Sequence, residues 1–196
     1  MKILVISLKG GVGKSSIALS IADLYGYTYV TNDLITSNNT RAIQVSSNRK
    51  RIPKENLQLE DVVFDFGAMS TQIDPKVSQA VNHCDIIIIP TFTDQRSLQA
   101  TLSTVKLVEG KDKPIVIIIN NFTNKKKYQE ACDYLESNIN NPLIFPIRTT
   151  TLFERVAKDG RQWLERLNHI KGEYQLKKTL TKHQKVYDQI TQLGGV

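Results

Sequence analysis

The run Ile3-Leu4-Val5-Ile6-Ser7-Leu8-Lys9-Gly10-Gly11-Val12-Gly13-Lys14-Ser15-Ser16 decides how the rest of the chain is read. It opens with a continuous apolar stretch, Ile3 to Leu8, passes through Gly10, Gly11 and Gly13, and gives way to a helical pattern of Ile17, Leu19, Ile21 and Leu24. Strand, glycine loop and helix stand in the order that turns backbone N–H groups inward on phosphate oxygens, with the helix amino terminus adding a favourable dipole. In that arrangement Gly10, Gly11, Val12, Gly13 and Ser16 cradle the phosphates, Lys14 reaches the β- and γ-phosphates, and the Ser15 hydroxyl ligates Mg²⁺. The plainer alternative is a glycine turn that only joins a strand to a helix.

Working outward, apolar β-rich runs recur at Tyr27 to Thr31, Val62 to Phe66, Ile86 to Ile89, Ile115 to Ile119 and Leu143 to Ile147. Several are continuous rather than alternating, as strands buried on both faces of a parallel sheet should be. Helical patterns intervene at 14–24, 74–82, 95–109, 125–137 and 150–168. Strands alternating with helices predict an α/β fold with a mostly parallel central sheet and helices on both faces. The polar stretch Thr36 to Glu60, rich in Asn and Ser and interrupted by Pro53, breaks the rhythm and is expected to be a long surface excursion.

The chain has 196 residues, 40% hydrophobic and 23% charged, which suits one domain spanning 1–196. The first apolar run is too short for a signal peptide, and no stretch approaches the roughly 20 apolar residues of a membrane span. The expectation is a soluble, intracellular, cytoplasmic protein. Cys84 and Cys132 are isolated, and His83, His169 and His183 lack metal-ligand spacing, so none of them is assigned chemistry.

The ordinary phosphate-loop template requires glycine where this chain has Leu8, but a deviant form fits: Lys-Gly-Gly-x-Gly-Lys-Ser/Thr, with Lys9 as a second, earlier lysine. On these residues the chain resembles the family of ParA, MinD, the nitrogenase iron protein and the arsenical pump ATPase. The resemblance implies an ATPase using ATP and Mg²⁺, in which Lys9 reaches across a nucleotide-sandwiched homodimer to the partner's phosphates. Val62-Val63-Phe64-Asp65 is an apolar strand ending in a carboxylate, the arrangement that holds an acid beside the metal's water shell. The family usually writes Asp-Thr-Pro-Pro there, whereas this chain has Asp65-Phe66-Gly67-Ala68. For the first switch, which carries the carboxylate that orients the attacking water, the chain offers Tyr29-Val30-Thr31-Asn32-Asp33-Leu34. Asp33 is nominated; the alternative is a solubilising or capping Asp at a strand end. Related ATPases hold the adenine edge with an Asn at the end of the strand that here finishes in Asn120, and the Pro146-Ile147-Arg148 turn resembles the partition ATPases' Ile-Pro-Arg, placing Ile147 and Arg148 along the base pocket.

The lack of cluster cysteines argues against the nitrogenase branch and the length against the arsenical pump. Net charge is +7 and the sequence pI about 9.4, which favours polyanionic partners. The excess is clustered: residues 41–54 hold five basic side chains and no acid, and residues 155–196 hold nine basic against four acidic. Along Glu173 to Leu193, Leu176, Leu180, Tyr187 and Ile190 share one helical face, flanked by Val186 and Leu193, and Lys178, Lys182 and Lys185 lie roughly opposite. The apolar face is expected to pack on the domain, leaving a basic stripe for sequence-independent DNA contacts; Arg49, Lys50 and Arg51 form a competing DNA surface. The resemblance thus implies a small ParA-type partition ATPase without an amino-terminal helix-turn-helix, stimulated by a centromere-binding (ParB-like) protein and associated with the nucleoid. A MinD-like membrane-cycling ATPase and a non-hydrolysing nucleotide-dependent scaffold remain the alternatives, membrane binding being the less favoured because the apolar face suits packing.

Overall fold

The computed structural model describes residues 1–33, 41–66, 74–167 and 172–195, the side chains at 157 and 161–163 excepted. In chain order the elements are β1 (Lys2–Val5), α1 (Lys14–Tyr25), β2 (Thr28–Thr31), β3 (Ala42–Gln44), α2 (Lys54–Leu57), β4 (Val62–Asp65), α3 (Pro75–His83), β5 (Ile86–Thr91), α4 (Gln95–Val108), β6 (Ile115–Phe122), α5 (Lys125–Asn138), β7 (Leu143–Arg148), α6 (Leu152–Leu167) and α7 (Tyr174–Leu193). The strands form one sheet in the order β3-β2-β4-β1-β5-β6-β7, every neighbouring pair parallel.

The continuous apolar runs have a simple cause. Successive strand residues point to opposite faces, and here both faces are covered. Leu4, Phe64, Ile87, Ile89, Ile117 and Ile119 enter the core beneath α3, α4 and α5. Their neighbours Ile3, Val5, Val63, Ile86, Ile88, Val116 and Ile118 enter the core shared with α1 and α7. With no wet face, no polar residue is required in alternation.

Three helices start on side-chain caps: Asp74 accepts from Lys76 N at 2.7 Å, Asp94 from Ser97 N at 3.0 Å, and Asn124 from Lys126 N at 2.8 Å. Helix α1 does not, for Gly13 stands at its start with no side-chain cap and its first turn holds no acid. The amino end of α1 therefore keeps backbone donors that no side chain of its cap satisfies.

The stretch Thr36 to Glu60, expected as a surface excursion, is built differently where it is described. It contributes edge strand β3 and short helix α2, and Val45, Ile52 and Leu57 are buried in the core on the α3 side. Polar neighbours hide these few apolar residues from a periodicity reading, because a three-residue strand offers too short a pattern. Residues 36–40 of that stretch lie outside the described residues. Strand β1 also ends at Val5, so Ile6 to Leu8 belong to the loop, and α6 is kinked at Gly160 (φ 60°, ψ −155°), a conformation that glycine tolerates.

Helix α7 lies against α1. Tyr187 and Ile190 are buried in the α1-side core, Leu176 and Leu180 pack on the cluster from α6, and the Tyr25 hydroxyl donates to Asp188. Among the described residues no helix is long and apolar enough to cross a membrane.

Candidate functional site

The chain leaves β1 toward β2 and β4 on one side and later returns to β5 on the other, so the strand order reverses at β1. In open parallel sheets ligands bind outside the carboxyl ends of the strands at such a reversal. The glycine loop lies there, between β1 and α1.

Its shape depends on Gly13, which has φ 87° and ψ 21°. A Cβ at this position would meet Asn120 Nδ2 at 2.2 Å, so both backbone conformation and neighbour demand glycine. Asn120 itself is buried at the end of β6 and donates from Nδ2 to the Val12 carbonyl at 3.3 Å. Asn121 beside it takes a left-handed conformation (φ 56°), at the bulge where β6 and β7 change register. The amide of Asn120 thus braces the loop, and its Oδ1 has no partner among the described residues. Ile147 is paired with Asn120 across β6 and β7 and is buried, while Arg148 is exposed and donates to the Thr123 carbonyl at 3.0 Å.

Lys14, the first residue of α1, is only 8% exposed. Gly10 and Gly11 are exposed at the tip, Val12 is buried, and Ser15 and Ser16 are half-buried in the first turn. Leu8 N donates to Thr104 Oγ1 at 3.1 Å, fastening the loop to α4. Lys9 does not point away into solvent. Its Nζ donates to Ser97 Oγ at 2.8 Å, lies 3.6 Å from Asp94 Oδ2, and stands 5.8 Å from the centre of the Phe92 ring. The Asp94 carboxyl is held below its ordinary value, first by the Ser97 hydroxyl and then, among others, by the Lys9 charge.

Asp65 ends β4 beside β1, with 0% exposure. One oxygen, Oδ2, accepts from the Tyr29 hydroxyl at 2.6 Å. The other, Oδ1, is buried with no hydrogen-bond donor of good geometry among the described residues. Burial pushes the Asp65 carboxyl up; nearby Ser15, Tyr29 and the Lys14 charge oppose that, and the Asp33 charge adds to it. A buried carboxylate with one bare oxygen beside a serine hydroxyl is a donor set that fits a hard divalent cation. Ser15 and Asp65 are the residues that would hold Mg²⁺. When bound, the ion would neutralise phosphate charge. Asp33 lies just past β2, exposed, its N–H donating to Thr31 Oγ1 at 3.1 Å. Gly67 and Ala68, which follow Phe66 in the sequence, lie outside the described residues.

The basic residues fall elsewhere. Arg49, Lys50 and Arg51 are exposed on the loop after edge strand β3, which buried Lys76 pins by donating to the carbonyls of Ser47 (3.3 Å) and Arg49 (2.9 Å). Lys178, Lys182 and Lys185 are exposed on α7, Lys178 and Lys185 on the far side of the helix from its packed face and Lys182 at that face's margin. Lys182 and Arg148 also line one cavity of about 670 Å³ at the β7 edge, together with Lys125 and His183.

Sequence reasoning missed Tyr29, Asp94, Ser97 and Thr104. The Tyr29 contact depends on the pairing of β2 with β4, which sets Thr31 opposite Asp65 and Tyr29 opposite Val63 on the same face. A parallel register between strands 30 residues apart leaves no local signal. Asp94 caps α4, and nothing local in the sequence marks it as the partner of Lys9.

No protein-family model and no curated protein matches the sequence. Among solved structures the chain is similar to apo McdA of Cyanothece, at 13% identity with a TM-score of 0.65, covering 94% of this chain and 98% of that one. It is similar at 15% identity to a plasmid partition protein of Borrelia burgdorferi bound to AMPPNP, with a TM-score of 0.62 and coverage of 96% and 98%. The septum site-determining protein MinD of Pyrococcus horikoshii, complexed with Mg-ADP, aligns at 13% identity with a TM-score of 0.64 and coverage of 94% and 95%. The seven-stranded parallel sheet with helices on both faces is therefore a fold shared with these McdA, plasmid partition and MinD structures, over nearly the whole chain.

Proposed function

We propose that this chain is a Mg²⁺-dependent ATPase that works as a positioning switch of the ParA kind. The observation that carries the reading is the convergence, at the sheet's reversal point, of an uncapped helix start, a buried lysine and a carboxylate with one bare oxygen. Together they set backbone donors, a positive charge and an oxygen acceptor around one point, the set that a metal-bound polyphosphate requires. ATP with Mg²⁺ supplies both.

In this reading Lys14 and the N–H groups of Gly10 to Ser16 bind the phosphates, Ser15 and Asp65 hold the metal, Asp33 orients the attacking water, and Asn120, Ile147 and Arg148 form the base side. Lys9 leaves Ser97 and Asp94 to reach the ATP of a second copy, closing a homodimer. The closed dimer binds DNA without sequence preference through Lys178, Lys182 and Lys185 or through Arg49, Lys50 and Arg51. A centromere-binding protein speeds hydrolysis, ADP opens the dimer, and the protein works on the nucleoid in the cytoplasm. The similar structures support a nucleotide switch of this fold, since their proteins were captured with AMPPNP and Mg-ADP. Against membrane cycling stands α7, whose apolar face is already spent on α1 and α6.

The test is the rate of ATP hydrolysis with Mg²⁺, alone, with duplex DNA and with anionic liposomes, alongside cosedimentation with each. The reading expects ATP-dependent association with DNA of any sequence. Association with liposomes in ATP and indifference to DNA at low salt would overturn it.

A further inference from the structure

Asp65 has two oxygens, and the structure treats them differently. Tyr29 Oη donates to Oδ2 at 2.6 Å, while Oδ1 is buried with no donor of good geometry among the described residues. Tyr29 is itself buried, its ring packed in the core shared by β1, β4 and α1. A phenol ring has few rotatable bonds, so a packed one holds its hydroxyl at a fixed point. Tyr29 is opposite Val63 in the β2–β4 pair, and its ring crosses diagonally to the residue two further on, within the reach of an aromatic side chain. The hydrogen bond therefore fixes the plane of the Asp65 carboxylate and spends one oxygen, leaving the other as the single acceptor beside Ser15.

We infer that Tyr29 is a positioning residue for the metal: its hydroxyl orients Asp65 so that Oδ1 alone is presented to Mg²⁺ or to a water of its shell. This rests on reading the glycine loop as a nucleotide site. Nothing in the phosphate-loop pattern calls for a hydroxyl at this place, since the motif ends at Ser16 and the acid lies on another strand. Removing the partner that orients a metal-binding side chain commonly weakens metal affinity about 10- to 100-fold.

The test is Tyr29→Phe, which keeps the ring and removes only the hydroxyl. A fluorescent ADP analogue is bound in EDTA and then across a Mg²⁺ titration, with a thermal melt to confirm the fold. Affinity in EDTA should stay within about twofold of wild type, because the substitution leaves the backbone of the glycine loop and the Lys14 charge in place, while half-saturation in Mg²⁺ should rise about tenfold or more. Replacing Tyr29 with 4-aminophenylalanine, which restores an N–H donor at the same ring position, should recover most of the loss, and it serves as the informative variant if Phe does not fold. Unchanged half-saturation in the Phe variant would overturn the inference, as would a lower one, which would mean that the hydroxyl competes with the metal. If wild type binds the analogue with no Mg²⁺ dependence, the inference falls while the nucleotide site stands. If it binds no nucleotide at all, both fall.

Discussion

The glycine-loop end of the sheet and the outer face of α7 both carry lysines, yet they are built in opposite ways. At the loop the charge is buried and the groups are held in place: Lys14 is nearly enclosed, Asp65 has no exposure, and Gly13 has no room for a methyl against Asn120. On α7 the lysines stand in water, and what is held in place is the other side of the helix, where His183, Tyr187 and Ile190 are buried. Buried polar groups act at short range and are intolerant of change. Solvated lysines act through summed, screened charge. The difference sets the size and the salt dependence expected of each substitution.

The largest effect belongs to Lys14→Ala. Removing a buried charge from its phosphate partner should cost about 3 kcal/mol or more, roughly a 100-fold loss of ATP affinity, read by equilibrium binding of a labelled analogue. Unchanged affinity would erase the contrast by showing the loop to be an ordinary turn.

Next comes the packed side of α7. Burial lowers His183 to about 4, so it is neutral in the folded chain at pH 7. The unfolded chain takes up the proton near the ordinary value of about 6.5. The folded pKa being the lower, stability is intact above about 6.5 and is lost as pH falls toward 4, by up to about 3 kcal/mol at about 1.4 kcal/mol per unit. Urea midpoints at pH 7 and pH 5 should therefore differ more for wild type than for His183→Gln. Equal differences would mean that α7 is not docked in solution, which would favour the membrane-cycling reading.

The wet side of α7 should respond more gently. Changing Lys178, Lys182 and Lys185 together to Ala should weaken binding to DNA of any sequence, with nucleotide affinity intact. The slope of log K against log salt should fall by about 0.9 for each phosphate no longer neutralised. Arg49, Lys50 and Arg51 changed in the same way are the control, and a slope that falls only in that variant would move the DNA surface to the β3 edge.

Smallest is the tether on Lys9. Exposed ion pairs are worth at most about 1 kcal/mol, so Asp94→Asn should shift ATP-dependent dimerisation by no more than about fivefold, toward the dimer if the tether holds Lys9 back. Lys9→Ala should abolish dimerisation and leave nucleotide binding in place. Sedimentation of both variants with ATP and Mg²⁺ decides the matter, and a Lys9→Ala protein that still dimerises would end the proposed role in trans.

Legibility in the sequence followed locality. The parallel fold could be read because several internal strands are buried on both faces and so appear as unbroken apolar runs, as at Ile86 to Ile89. The glycine loop could be read because strand, loop and helix are contiguous. Strand β3 was hidden, since its three residues sit among polar ones and owe their place to β2. The hydrogen bonds of Tyr29 with Asp65 and of Lys9 with Ser97 were hidden for the same reason: each joins residues that only the sheet order and a crossover helix bring together.

The central claim is that nucleotide state switches this molecule, and sedimentation velocity of the unaltered chain tests it most directly. With Mg²⁺ and a non-hydrolysable ATP analogue the chain should sediment as a dimer, and with Mg²⁺ and ADP as a monomer. The same sedimentation coefficient in both nucleotides, at concentrations that saturate the site, would contradict it.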